Sequence, residues 1–232
     1  PIAKWYHDIG YTVFWPINKQ ILCHFNKGHF DYVNFVGVDE HDNINQSLQY
    51  CEQNKYKSLD LSFTCRNSMN NANTRDYLDQ KEYTFDEFRY KLANVPFEHK
   101  WKFHINRHLS REQSLYTKLI HRSKYNVIQT DTSNIQYEYE LDCDIPFVRV
   151  EPVTDCIFDW LLILTRAVNI ILTESVFANL VDQMRIQNNR QFLLCRPWYY
   201  GNPLKNGRMR GLPMFKNNWF VKYNYECSYP IA

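Results

Sequence analysis

The stretch Thr154 to Met184, TDCIFDWLLILTRAVNIILTESVFANLVDQM, decides how the chain is read. Ile157, Trp160, Leu161 and Leu164 recur at helical spacing, Asn169 to Leu172 is a short apolar run with β-branched residues, and Val176, Phe177, Leu180, Val181 and Met184 resume the helical period, so the order is helix, strand, helix. Thr173-Glu-Ser175 joins strand to second helix as a polar tripeptide whose first or third residue can cap it. A parallel strand ending in such a turn presents backbone N–H groups and the positive end of a helix dipole at the carboxyl edge of a sheet, where α/β proteins bind phosphates. The competing reading is one more αβα unit of a core, and the rest of the chain has to separate the two.

Composition sets the bounds. With 232 residues, 44% of them hydrophobic, the chain can bury one large or two small cores; two are expected. A net charge of +2 is too balanced for a dedicated nucleic-acid binder. Seven cysteines, at 23, 51, 65, 143, 156, 195 and 227, are odd in number and include no C-x-x-C pair, which suggests neither a disulfide framework nor a zinc site and fits a reducing, cytoplasmic location. No signal peptide is visible, and no apolar run approaches the roughly 20 residues of a membrane helix. The chain opens on Pro1 rather than methionine, as a piece of a longer multidomain protein would.

Taken in order, Tyr11 to Phe25 reads as a helix despite Pro16, with Gly10 marking a strand-to-helix turn before it. Phe30 to Val38 is an alternating strand, Gln46 to Asn54 a short helix and Lys57 to Phe63 another strand. Cys65 to Gln80, rich in Asn and Asp, reads as a loop, and Phe85 to Leu92 as a helix. An extended connector, Val95 to Arg107, leads to a helix over residues 111–121 capped by Ser110. Strands at Tyr125–Gln129, Pro146–Val150 and Gln191–Cys195 surround the opening helix-strand-helix, and Phe215 to Tyr225 closes as a helix. Such doubled alternation implies two α/β halves.

The pattern resembles small glycosyltransferases of the GT-B type, the kind found in bacterial and large-virus glycan synthesis. Four signals carry the resemblance: Asp8-Ile-Gly10, similar to the acidic-glycine turn that begins the acceptor lobe; Tyr90 to Trp101 with Arg107 and Glu112, similar to the segment joining the lobes; Ile157-Phe-Asp-Trp160, Ala167 and Thr173-Glu-Ser-Val-Phe177, similar to the donor-lobe stretch; and Pro213 to Trp219, similar to the closing helix. The chain departs from the family at Gln129-Thr-Asp131, where a histidine followed by acidic residues is expected. The resemblance implies an α/β fold of two Rossmann-like lobes facing across a nucleotide-sugar cleft, an acceptor-side lobe at residues 1–100, a nucleotide-sugar lobe at 105–215, and a crossover helix and tail at 216–232 returning to the first lobe. It further implies transfer from a nucleotide-diphosphate sugar to a glycan hydroxyl, without metal or cofactor.

Each candidate residue has a structural alternative. Ser175 and the amides after it are expected to grip the donor diphosphate, against a plain N-cap. Glu174 would accept hydrogen bonds from a ribose or sugar hydroxyl, against a carboxylate that only favours the helix dipole. Thr173, Gln129, Thr130 and Asp131 lie after predicted strands where the donor should sit, and Gly10 at the turn of the other lobe. Arg107 and Arg196 would balance leaving-group charge, against structural ion pairing. Asp8 is the first candidate for the base that deprotonates the acceptor and His7 the second, against turn residues. No H-e-x-x-H spacing exists, and Asp142-Cys-Asp144, although a D-x-D, precedes Pro146 in a turn.

A non-catalytic nucleotide- or sugar-binding module on the same fold is the main alternative. A Rossmann dehydrogenase or methyltransferase lacks its glycine-rich turn, with six glycines in the whole chain. Nucleic-acid binding through Lys205 to Arg210 beside Trp198, Tyr199 and Tyr200 is less favoured than a loop at the cleft rim.

Overall fold

In the computed structural model the chain divides into two units, Pro1–Arg107 and His108–Ala232, with residues 1–25, 28–59, 61, 84–131, 144–195 and 215–223 described. The first unit opens with helix α1, Ile2–Asp8. Gly10 ends it at φ +96°, a backbone region that L side chains rarely adopt, and donates its N–H to the His7 carbonyl at 2.9 Å. It therefore closes a helix and leads into a strand, the reverse of the expected turn.

Strand β1, Phe14–Asn18, helix α2, Leu22–Phe25, strand β2, Asn34–Val38, and helix α3, Asn43–Gln53, follow. The two strands pair in parallel from Phe14↔Asn34 to Asn18↔Val38. A single helix through Tyr11–Phe25 is thus corrected. Pro16 would break a helix there, whereas in the two-stranded sheet of the described residues both strands are edges and a proline is tolerated; Phe14, Trp15 and Ile17 favour the pleat. Lys57 to Leu59 and Leu61 are not in a strand, and the rest of that expected segment lies outside the described residues. Helix α4, Phe85–Leu92, falls where the sequence places it and starts with a capping box, Thr84 N–H donating to Glu87 Oε2 at 2.7 Å. Ile2, Tyr90, Ala93 and Val95 form a core beneath Trp5, Tyr6 and Phe97.

The second unit begins with α5, Leu109–Leu119, so that Ser110 stands in the first turn and not at the cap. Strands β3, Asn126–Gln129, and β4, Phe147–Arg149, precede a 3-10 turn at Ile157–Trp160 and helix α6, Leu161–Arg166; β5, Asn169–Thr173, α7, Val176–Gln183, β6, Arg190–Cys195, and β7, Trp219–Tyr223, complete it. The five strands among the described residues are all parallel, in the order β4-β3-β5-β6-β7. Every residue of β5 is buried, as a central strand covered on both faces requires. Arg111 of α5 holds the 3-10 turn through Asp159, Nε to Oδ1 at 3.0 Å and Nη2 to Oδ2 at 2.8 Å. At the amino ends, Asn126 Oδ1 accepts from Asn169 Nδ2 at 2.8 Å and its Nδ2 donates to the Ile145 carbonyl at 3.1 Å, which fixes β3 between β4 and β5.

The expected C-terminal crossover helix is likewise corrected. Trp219–Tyr223 is a strand whose partner is β6 of the second unit, in the register Gln191↔Trp219 to Cys195↔Tyr223. Its aromatic and β-branched residues suit a pleated surface, and buried Asp182 at the end of α7 anchors its approach, accepting the Lys216 and Asn217 N–H groups at 2.8 Å each and Trp219 Nε1 at 3.4 Å.

Candidate functional site

With β3 flanked by β4 on one side and β5 on the other, the chain reverses its direction across the sheet between β3 and β5. The connections leaving neighbouring strand ends diverge at such a point, and the crevice they leave is where open α/β sheets bind ligands. Here the two strands end in Gln129 and Thr173.

Ser175 caps α7. Its backbone is extended, and its Oγ accepts the Phe177 N–H at 3.2 Å. The same oxygen donates to Gln129 Oε1 at 2.7 Å, across 46 residues of sequence. The helix end and the end of β3 are therefore tied at the reversal point. Val176 and Ala178, in the first turn, have N–H groups that helix geometry leaves without intrahelical acceptors. Thr173 Oγ1 is buried without a hydrogen-bond partner among the described residues. Glu174 donates its N–H to the Leu194 carbonyl at 3.0 Å, and the residue is buried, 9% exposed. Burial, with the Glu174 charge added, pushes the Cys195 thiol at the end of β6 up to about 12, so this cysteine stays protonated at neutral pH.

On the other side of β3, Thr130 is buried and its Oγ1 accepts from Arg149 Nη1 at 2.7 Å. Arg149 also stands 3.7 Å from Asp131 Oδ2, with about half its side chain exposed. Two successive residues at the end of β3 thus reach opposite neighbours, Gln129 toward α7 and Thr130 toward β4. Arg149 is the cation the sequence reading missed. Only a positive residue one place before the end of a short apolar run, PFVRV, could have signalled it.

The structure brings Gln129, Thr130, Asp131, Thr173, Glu174 and Ser175 to one carboxyl edge of the sheet. Arg107, exposed, ends the first unit in the connector before α5. Arg196, the aromatic and basic tract after it, and residues 142 and 143 of the D-x-D lie outside the described residues.

In the first unit His7 and Asp8 end α1. Lys4 Nζ lies 2.6 Å from Asp8 Oδ1, and this hydrogen bond, the largest influence, holds the carboxyl below the usual aspartate range, with a smaller contribution from His7. That lowers its worth as a proton acceptor. His7 and Gly10 instead line an open pocket of about 360 Å³. The described residues hold no group of three His, Cys, Asp or Glu that could bind a metal ion, and no helix among them is long and apolar enough to cross a membrane. No protein-family model, curated protein or solved structure matches the chain.

Proposed function

We propose that the chain is a metal-independent glycosyltransferase that holds a nucleotide-diphosphate sugar at the β3/β5 edge of the second unit and transfers the sugar to a glycan hydroxyl, as the family it resembles does. The single observation that carries the reading is the Ser175–Gln129 hydrogen bond, which joins a capped helix end to the reversal point of a parallel sheet. Breaking the bond from the anomeric carbon to the phosphate oxygen leaves negative charge on the diphosphate. The α7 amides, the Ser175 hydroxyl and the Arg149 guanidinium are donors of the kind that stabilise it. Asp131 and Glu174 can only accept when ionised, which suits ribose or sugar hydroxyls.

A non-catalytic nucleotide-binding module is the second reading, favoured by Gln129 standing where the family has histidine and by the engagement of Asp8 with Lys4. Incubation with UDP-, GDP- and dTDP-sugars in the presence of EDTA, with a glycan acceptor panel, separates the two. Transfer supports the enzyme; saturable nucleotide binding without turnover supports the module.

A further inference from the structure

We propose that the pocket at the end of α1 is a binding site for a neutral, hydroxyl-rich ring, that is, a saccharide. At about 360 Å³ it lies near the lower end of the roughly 300–1,000 Å³ range of small-ligand sites. Its walls carry His7, Tyr11, Asp31, Tyr32 and Asn34. Tyr11 is 52% exposed, and its ring stands at 83° to that of Tyr6 with centroids 5.5 Å apart. An exposed aromatic ring offers apolar surface of about the size of a sugar ring. Asn34 uses one amide hydrogen on the Val13 carbonyl at 3.3 Å, which leaves its own carbonyl oxygen as an acceptor. Asp31 is exposed and supplies two more acceptor oxygens.

Two other ligand classes fit less well. An anion would meet the Asp31 carboxylate. An apolar ligand would strand the polar groups of Asp31 and Asn34. The Tyr32 hydroxyl is committed to the His104 carbonyl at 2.8 Å, so this residue contributes wall and not recognition. Gly10 forms part of the rim with nothing within 4 Å of where a Cβ would stand, which leaves the backbone approachable. The ligand class stands on the pocket alone; only its role as acceptor rests on the proposed transfer.

Saturation-transfer NMR on the full chain without nucleotide, with glucose, galactose, mannose and N-acetylglucosamine as probes and choline and benzoate as charged controls, tests the inference. At least one sugar is expected to receive saturation, with the controls silent. Asp31→Ala and Tyr11→Ala should each weaken that binding about tenfold or more, at an unchanged melting temperature since both side chains are exposed; Asp31→Asn, which keeps the shape, serves as the second variant should Asp31→Ala lose its fold. No saturation of any sugar, saturation indifferent to these substitutions, or preferred binding of a charged control overturns the inference. Because nucleotide is absent, none of these outcomes depends on whether the second unit binds it.

Discussion

The Ser175 hydroxyl gives its one hydrogen to Gln129 Oε1, 2.7 Å away, while its oxygen accepts the Phe177 N–H. Capping and ligand binding are therefore not exclusive roles. A phosphate oxygen at α7 would accept the Ser175 hydroxyl hydrogen bond in place of Gln129 Oε1, and the cap on Phe177 would stay in place.

Ser175→Ala removes both bonds. About 1 kcal/mol of folding stability should be lost with the cap, and nucleotide-diphosphate binding should weaken by roughly 1–3 kcal/mol in addition. Denaturant unfolding and calorimetric titration with UDP and GDP on the same variant measure the two effects. Lowered stability with unchanged affinity would mean that the cap is all that Ser175 supplies.

Gln129→Glu places a carboxylate beside the α7 amino end, where the helix dipole favours it. Stability should hold or rise by a few tenths of a kcal/mol, while the added charge repels a diphosphate and lowers its affinity by about tenfold or more. A thermal melt with and without nucleotide reads both; a variant that is still stabilised by nucleotide to the wild-type extent would place the diphosphate elsewhere.

The Lys4–Asp8 pair bears on the base. Since the folded-state pKa of Asp8 lies below its unfolded value, its contribution to stability is present above the ordinary aspartate range and is lost as pH falls through the lowered value. Asp8 thus remains ionised across about pH 6–8, and a limb of a pH–rate profile in that interval belongs to another group. Transfer by Asp8→Asn should stay within about tenfold of wild type, whereas His7→Gln should lower kcat by about 10²–10⁴-fold. Steady-state kinetics with the acceptor check this, and the opposite ranking would return the role to Asp8.

What the sequence made legible was local. The helix-strand-helix of Thr154–Met184, the Ser175 cap and helix α4 were readable because period and cap lie within one short window. The two misread segments, Tyr11–Phe25 and Phe215–Tyr225, space their aromatic residues so that both periods fit, and their strand state is decided by partners far along the chain, Asn34–Val38 and Gln191–Cys195. Arg149 escaped for the same reason: it joins the site only because β4 pairs beside β3, in the register Ile128↔Arg149.

Asp182 tests how β7 is held. Asp182→Ala leaves the Lys216 and Asn217 amides and the Trp219 indole without their acceptor, and a loss of roughly 2–4 kcal/mol is expected. Urea unfolding followed by tryptophan fluorescence measures it. A loss under about 0.5 kcal/mol, typical of surface substitutions, would show that the anchor is dispensable.

The central claim, a diphosphate seated at the β3/β5 edge, is tested most directly by titrating the full chain with UDP and GDP in EDTA while following assigned backbone amides by NMR. Saturable shifts concentrated at Gln129–Asp131 and Glu174–Ala178, with the Val176 and Ala178 N–H signals moving most, are the predicted result. Absence of saturable shifts, or shifts confined to residues away from these two strand ends, would contradict it.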